Sequence, residues 1–356
     1  MNYITNRKYW GLSIVLFLII IMMFPAKKSY SQSNVAIMTF KNPLLIAAPD
    51  PWVIKENGMY YFTRTTGRNL QIIATKKMSQ LSEAMSVTIW TPPDTTIYSK
   101  EIWAPELHYI NHKWYMYFSA DDGNNYHHRI YVLENIDADP LSAHWVFKGK
   151  VTDETNKWAI DASEFEYKGK QYLIWSGWEE DDNVSQNIYI AELSNPWTIG
   201  SKRVMLSTPQ YDWEKKGSGN GLPIINEGPE ILKSSEGRLF LTYSASGCWT
   251  DDYCLGMLSL KKGGNPMSAN DWVKSKTPVF TKNIDNGVYG PGHNGFFKSP
   301  DGKEDWIIYH ANPESGQGCA NFRSARMQKI KWNNNGMPDF GIPQKIITPL
   351  QIPSGE

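Results

Sequence analysis

Four carboxylic acids and one histidine recur at matching places along the chain: Asp50, Glu106, Asp161, Glu227 and His293, spaced 56, 55, 66 and 66 positions apart. Each leads a short, largely apolar strand, a turn rich in Gly or Asn, and an aromatic strand that closes on a small, hydroxyl or His residue. Carboxyl groups gathered in a neutral, aromatic-rich surround suit a reaction in which one protonates a leaving oxygen while another takes a proton from water. That is the chemistry of glycoside hydrolysis. It requires the two environments to push the two pKa values apart. Asp50 stands in Ala-Pro-Asp-Pro-Trp, where the flanking prolines stiffen the backbone. Asp161 is a lone charge in Ala-Ile-Asp-Ala-Ser, and Glu227 in Asn-Glu-Gly-Pro-Glu has a Gly that allows close backbone approach. The neighbouring Glu230 is expected to point outward, and Glu106 to support the pocket without joining the proton transfers.

Residues so far apart in sequence act together only if the fold converges them. A period of tens of residues is the mark of a repeat architecture. Asn57-Gly58, Asn111-His112, Gly169, Glu236-Gly237 and Asp301-Gly302 mark the first turn of each unit. Units of about 60 residues leave room for a four-stranded sheet each, so the reading is an all-β, five-bladed β-propeller folded as a single domain. No Pro/Ser linker divides it. The first strand of each blade lines the axis, so the five leading residues meet there, and packing alone would not choose such polar ones.

The composition agrees. The 356 residues carry 36 Lys+Arg against 36 Asp+Glu, with 15 Trp, 19 Tyr, 13 Phe, 27 Gly and 21 Pro, which favours short strands and many turns over a helical bundle. Balanced charge gives no footprint for nucleic acid. Residues 1–31 read as a signal peptide: Arg7 and Lys8, the apolar run Trp10 to Phe24, then Ser29-Tyr30-Ser31, with the mature propeller domain expected over 32–356. That run is short for a bilayer span, so no stable membrane span is expected after cleavage. Removing four basic residues and no acid leaves 32 basic against 36 acidic side chains. An exported chain permits a disulfide, and Cys248 and Cys254 lie close enough for a local staple, with Cys319 left over.

Taken together, these motifs resemble glycoside hydrolase family 43, over essentially all of 42–350. The resemblance implies an inverting five-bladed propeller acting on arabinofuranosides or xylosides. It implies Asp50 as general base, Asp161 as the carboxylate that orients and tunes the acid, and Glu227, in Glu-Gly-Pro, as general acid. His293 in Gly-Pro-Gly-His-Asn-Gly matches an axial histidine near a water-coordinated cation, commonly calcium, in the central channel; no cofactor is implied for catalysis. Arg323 and Arg326 lie where a sugar-contacting arginine is placed. Trp103-Ala-Pro-Glu-Leu, the stretch from Ser246 to Gly256 and Gln-Lys-Ile-Lys-Trp resemble α-L-arabinofuranosidases, and Trp103 would floor the sugar site. The expected partner is therefore a plant cell-wall polysaccharide or oligosaccharide, met outside the cytoplasm.

Other signals are set aside. His108-x-x-x-His112 crosses a strand and a turn and lacks the Glu of a zinc protease, and Gly217-Ser-Gly-Asn-Gly lacks the helix and Lys of a phosphate cradle. His127 and His128, near Asp121 and Asp122, are expected to be solvated loop residues; Trp175 is expected in a blade core and Trp178 at the rim. A β-xylosidase or endo-arabinanase would share the same three acids. A non-catalytic sugar-binding propeller would be expected to lose one of them.

Overall fold

The computed structural model describes residues 1, 3–8, 10–11 and 38–356, so the expected signal segment and the start at residue 32 lie largely outside the described residues. Met38–Glu356 forms one compact unit. No helix among the described residues is long and apolar enough to cross a membrane.

Five antiparallel meanders follow one another along this unit. The first blade comprises Trp52–Glu56, Met59–Thr63, Leu70–Thr75 and Ser86–Trp90. The first strands of the other four are Lys100–Ile110, Ala159–Tyr167, Ile224–Lys233 and Tyr289–Lys298. Each first strand touches the first strand of the next blade, and the fifth touches the first, which closes the ring. The opening turns are tight because two successive residues adopt positive φ in three of them: Asn57-Gly58, Asn111-His112 and Lys168-Gly169.

The hydrophobic core is divided into layers between neighbouring blades. Period-2 alternation along each second strand explains this: Tyr60 and Phe62 pack toward Phe297 and Ile308 of the fifth blade, while Tyr61 packs toward Trp114 and Met116 of the second. Tyr115 and Tyr117 then face Leu173 and Trp175 of the third blade. Both faces are buried, so these strands read as continuous aromatic and aliphatic runs rather than as alternating ones.

The ring is fastened where chain start and chain end meet. Thr39–Phe40 pairs with Leu350–Gln351, and Leu45 bridges Ala325 on the last strand of the fifth blade. Asn42 acts as one more rung: its Nδ2 donates to Met327 O at 2.9 Å and its Oδ1 accepts the Met327 N–H at 3.0 Å.

Candidate active site

A bulge starts four of the five inner strands, and in all five blades the residue at the turn-in has positive φ: Asp50 (54°), Ala104 (41°), Asp161 (57°), Gly228 (54°) and His293 (44°). Such backbone is strained for residues other than Gly and turns the chain toward the axis. It is held by a latch from the preceding blade. Ser119 Oγ accepts the Asp161 N–H at 3.0 Å, Ser244 Oγ accepts the His293 N–H at 2.7 Å, and His310 Nδ1 accepts the Asp50 N–H at 3.1 Å. These are the hydroxyl or His residues that close the aromatic strands. Their recurrence was visible in sequence, and their role was not.

This alignment corrects the repeat. Ala104, not Glu106, and Gly228, not Glu227, are the counterparts of Asp50; Glu106 is two residues farther along its strand and buried. Glu230, expected to point outward, is buried as well: its Oε2 accepts from Trp52 Nε1 at 3.2 Å and from Ser163 Oγ at 3.1 Å. A bulge displaces the strand register by one residue, which reverses the face that each later side chain takes.

One cavity of about 760 Å³ opens at the axis and is lined by Asp50, Asp161, Glu227, His293, Arg323 and Trp103, so six of the seven singled-out residues share it. Arg326 does not. It is fully buried, with Nε on Ser324 Oγ at 3.0 Å and Nη2 on Ala311 O at 3.3 Å. Arg323 instead reaches Asp50 Oδ1 at 3.1 Å, and Thr65 Oγ1 donates to Asp50 Oδ2 at 2.6 Å. Burial alone would raise the Asp50 pKa, but the charge of Arg323 first, then the His293 and His310 rings 3.4 Å from Oδ1, hold it well below the usual carboxylate range.

Glu227 is driven the other way. Burial raises it, a hydrogen bond from Tyr253 lowers it, and the charge of Asp50 raises it, leaving it at about 7. Asp161 is also pushed up, by burial and by the charges of Glu227 and Asp50, while the Gly228 N–H on its Oδ2 at 3.0 Å favours the ionised form. Asp161 and Glu227 are thus two buried acids for which ionising both is costly.

Trp103 lies over His128, ring centroids 4.2 Å apart at 23°. His128, expected in a solvated loop, is wholly buried, with Nδ1 3.0 Å from Asp121 Oδ2; it braces the Trp103 ring from below. His127 is exposed as expected and pairs with Asp122. His108 lies in the channel against Glu106 at 3.0 Å, a structural role. Trp175 is in a blade core, whereas Trp178, expected at the rim, is buried and stacks on Trp158 at 4.8 Å. Trp158, Arg64 and Tyr253 were missed, since nothing in their spacing marks them, and His310 was read only as the end of the fifth aromatic strand.

The disulfide also differs from expectation: Cys248 is bonded to Cys319, and Cys254 is free and buried. Cys254 opens the third strand of the fourth blade with its side chain inside the sheet, while Cys248 is in a loop facing the fifth blade. The bridge therefore joins two loops of the cavity wall. Among the described residues no group of three or more His, Cys, Asp or Glu side chains could hold a metal ion. His293, with Asp50 at 3.4 Å, would hold the expected calcium through water rather than in a cage of protein ligands.

The family model for glycosyl hydrolases family 43 matches residues 40–338. The chain belongs to this family. It is 38% identical over 327 residues to an extracellular exo-α-(1→5)-L-arabinofuranosidase of Streptomyces avermitilis, covering 89% of this chain and 66% of that protein. A protein of the same name from Streptomyces chartreusis is 40% identical over 277 residues, covering 76% of this chain and 82% of that one. The chain thus spans just under two thirds of the length of the first of these relatives. The crystal structure of an α-L-arabinofuranosidase from Lactobacillus brevis superimposes with a TM-score of 0.81 at 36% identity, covering 87% of this chain and 98% of that one. The family 43 propeller is therefore the fold of this chain.

Proposed function

We propose that this family 43 chain is an exported, inverting α-L-arabinofuranosidase that releases L-arabinofuranose from arabinan, arabinoxylan or arabino-oligosaccharides. The observation that carries the reading is the opposite displacement of two acids in one cavity: Asp50 well below its ordinary range and Glu227 raised to about 7. Near neutral pH one is an ionised base and the other still carries a proton. Asp50 would take a proton from water as that water attacks the anomeric carbon. Glu227 would give its proton to the glycosidic oxygen from the other side, so the configuration inverts. Asp161, through the Gly228 N–H, would fix the strand that carries Glu227 and keep the proton on the Glu. Trp103 would meet the CH face of the furanose and Arg323 its hydroxyls. The names of the relatives support both the sugar and the export.

The test is sugar release by Asp50→Ala and Glu227→Ala from arabinan and from 4-nitrophenyl arabinoside and xyloside, with the product anomer followed by NMR. Each variant is expected to lose at least about 10²-fold in kcat on arabinan, the lower range for positioned acid-base groups. Near-normal turnover by either variant, faster xyloside cleavage, or retention of configuration would overturn the reading.

A further inference from the structure

One pair of rings links the two acids and takes no part in the proton transfers above. Tyr253 is buried, and its phenol donates to Glu227 Oε1 at 2.8 Å. Its ring lies nearly parallel to that of His310, with centroids 5.6 Å apart at 10°. His310, also buried, accepts the Asp50 N–H at Nδ1, which leaves its proton on Nε2. Glu227, Tyr253, His310 and Asp50 thus form one continuous line of contacts from the fourth blade through the fifth to the first.

Two features indicate that this line is built for the site. The corresponding latch positions of the second and fourth blades are Ser119 and Ser244, small hydroxyls that suffice to hold the strained backbone. The blade that holds Asp50 uses an imidazole instead, the group with a flat face to stack upon. Gly292 leaves the space for Tyr253: a Cβ there would stand 2.3 Å from its Cε1.

We infer that Tyr253 and His310 form a spacer that fixes how Glu227 and Asp50 stand toward one another, with Tyr253 as the positioning residue of the acid. The inference rests on the proposed roles of those two carboxyl groups. Single displacement needs acid and base held about 6.5 to 9.5 Å apart, with a water between base and sugar. Because the phenol donates to Oε1, the proton of the acid resides on Oε2, so one oxygen alone is presented for transfer. The groups facing Glu227 are Tyr253 from its own blade, Asp50 from the first, Asp161 from the third and Arg323 from the fifth, with His293 of the fifth against the adjoining Gly228. Of these, the Tyr253 hydrogen bond and the Arg323 charge favour ionised Glu227. Removing the phenol oxygen therefore raises its pKa.

Tyr253→Phe keeps the ring and removes the donor. Its kcat on arabino-oligosaccharide should fall about tenfold, the worth of one hydrogen bond to a charged group, and the alkaline limb of its kcat/KM profile should move up. Hydrolysis of 2,4-dinitrophenyl α-L-arabinofuranoside, whose leaving group needs no proton, should stay within about twofold of wild type. Tyr253→Leu, which also removes the stack on His310, should slow both substrates. An unmoved alkaline limb in Tyr253→Phe, or equal losses on the two substrates, would overturn the spacer. Glu227→Gln separates this from the underlying assignment. If it still turns over the oligosaccharide, the acid itself is misassigned; if it does not while Tyr253→Phe behaves as wild type, only the spacer fails.

Discussion

At the scale of single residues, charge and burial push the protonation of the three carboxyl groups apart. Arg323 first, then His293 and His310, keep Asp50 ionised, whereas Glu227 has burial and the charge of Asp50 against the Tyr253 hydrogen bond and the weaker pull of Arg323. Asp161 is the more delicate case, because it and Glu227 are both buried and a charge on either opposes ionisation of the other. An Asp161→Asn side chain carries no charge, so Glu227 would ionise more readily and its pKa would fall toward the ordinary Glu value. The alkaline limb of the kcat/KM profile should accordingly move to lower pH, opposite to the shift expected for Tyr253→Phe. A profile that keeps the wild-type limb would show that Asp161 only shapes the backbone. Sequence picked out three acids that do line one cavity, since local flanks such as Ala-Pro-Asp-Pro and Asn-Glu-Gly-Pro are unusual enough to recognise. It could not separate Arg323 from Arg326, three residues apart, because the turn-in of the chain before Ser324–Lys329 sends one to the cavity and buries the other.

At the scale of elements, the positive-φ turn-in at the start of each inner strand, bulged in four of the five, creates the site. Positive φ at Asp50, Asp161 and His293 is held by one donor–acceptor latch each, and it is what turns their side chains to the axis. Gly228 shows the limit of the device. It has a φ of 54°, and a Cβ would stand 3.2 Å from the His293 ring. Gly228→Ala combines left-handed strain with that contact and should cost about 1 to 3 kcal/mol, read as a lower midpoint in denaturant. Because Gly228 also donates to Asp161, the variant should lose kcat at temperatures where it remains folded. Full activity with wild-type stability would mean that the strand relaxes freely. The bulges also explain the misreading of Glu106 and Glu230. Turn and strand patterns are read at period 2, and one inserted residue shifts the phase without any mark in composition.

At the scale of the whole molecule, two closures hold the ring. One is the pairing of Thr39–Phe40 with Leu350–Gln351, with Asn42 clamped on Met327. The other is the Cys248–Cys319 bridge, 71 positions apart in sequence, which ties the fourth-blade and fifth-blade loops of the cavity wall. A crosslink closing so long a loop removes much freedom from the unfolded chain, so Cys248→Ser with Cys319→Ser should lower stability by about 2 to 4 kcal/mol. Chemical denaturation with and without reductant measures this. Reductant should destabilise the wild type alone and leave the double variant unchanged. Equal sensitivity of both to reductant would show that the bridge does not carry the difference.

What the sequence determined by itself is whatever recurs locally: five turns, five aromatic strands and a polar residue near the head of each unit, each set by backbone preference and hydrophobic period within a few positions. From these the all-β propeller and the meeting of Asp50, Asp161 and Glu227 followed. Only the tertiary structure decided which side chains touch across blades: Cys248 with Cys319 rather than Cys254, His128 beneath Trp103, Glu230 in the channel, and Tyr253 between the acid and His310. The reason is physical. Contacts between blades depend on the phase and bend of each bulged strand, and a rotation of one residue there exchanges inside for outside while leaving every local pattern unchanged.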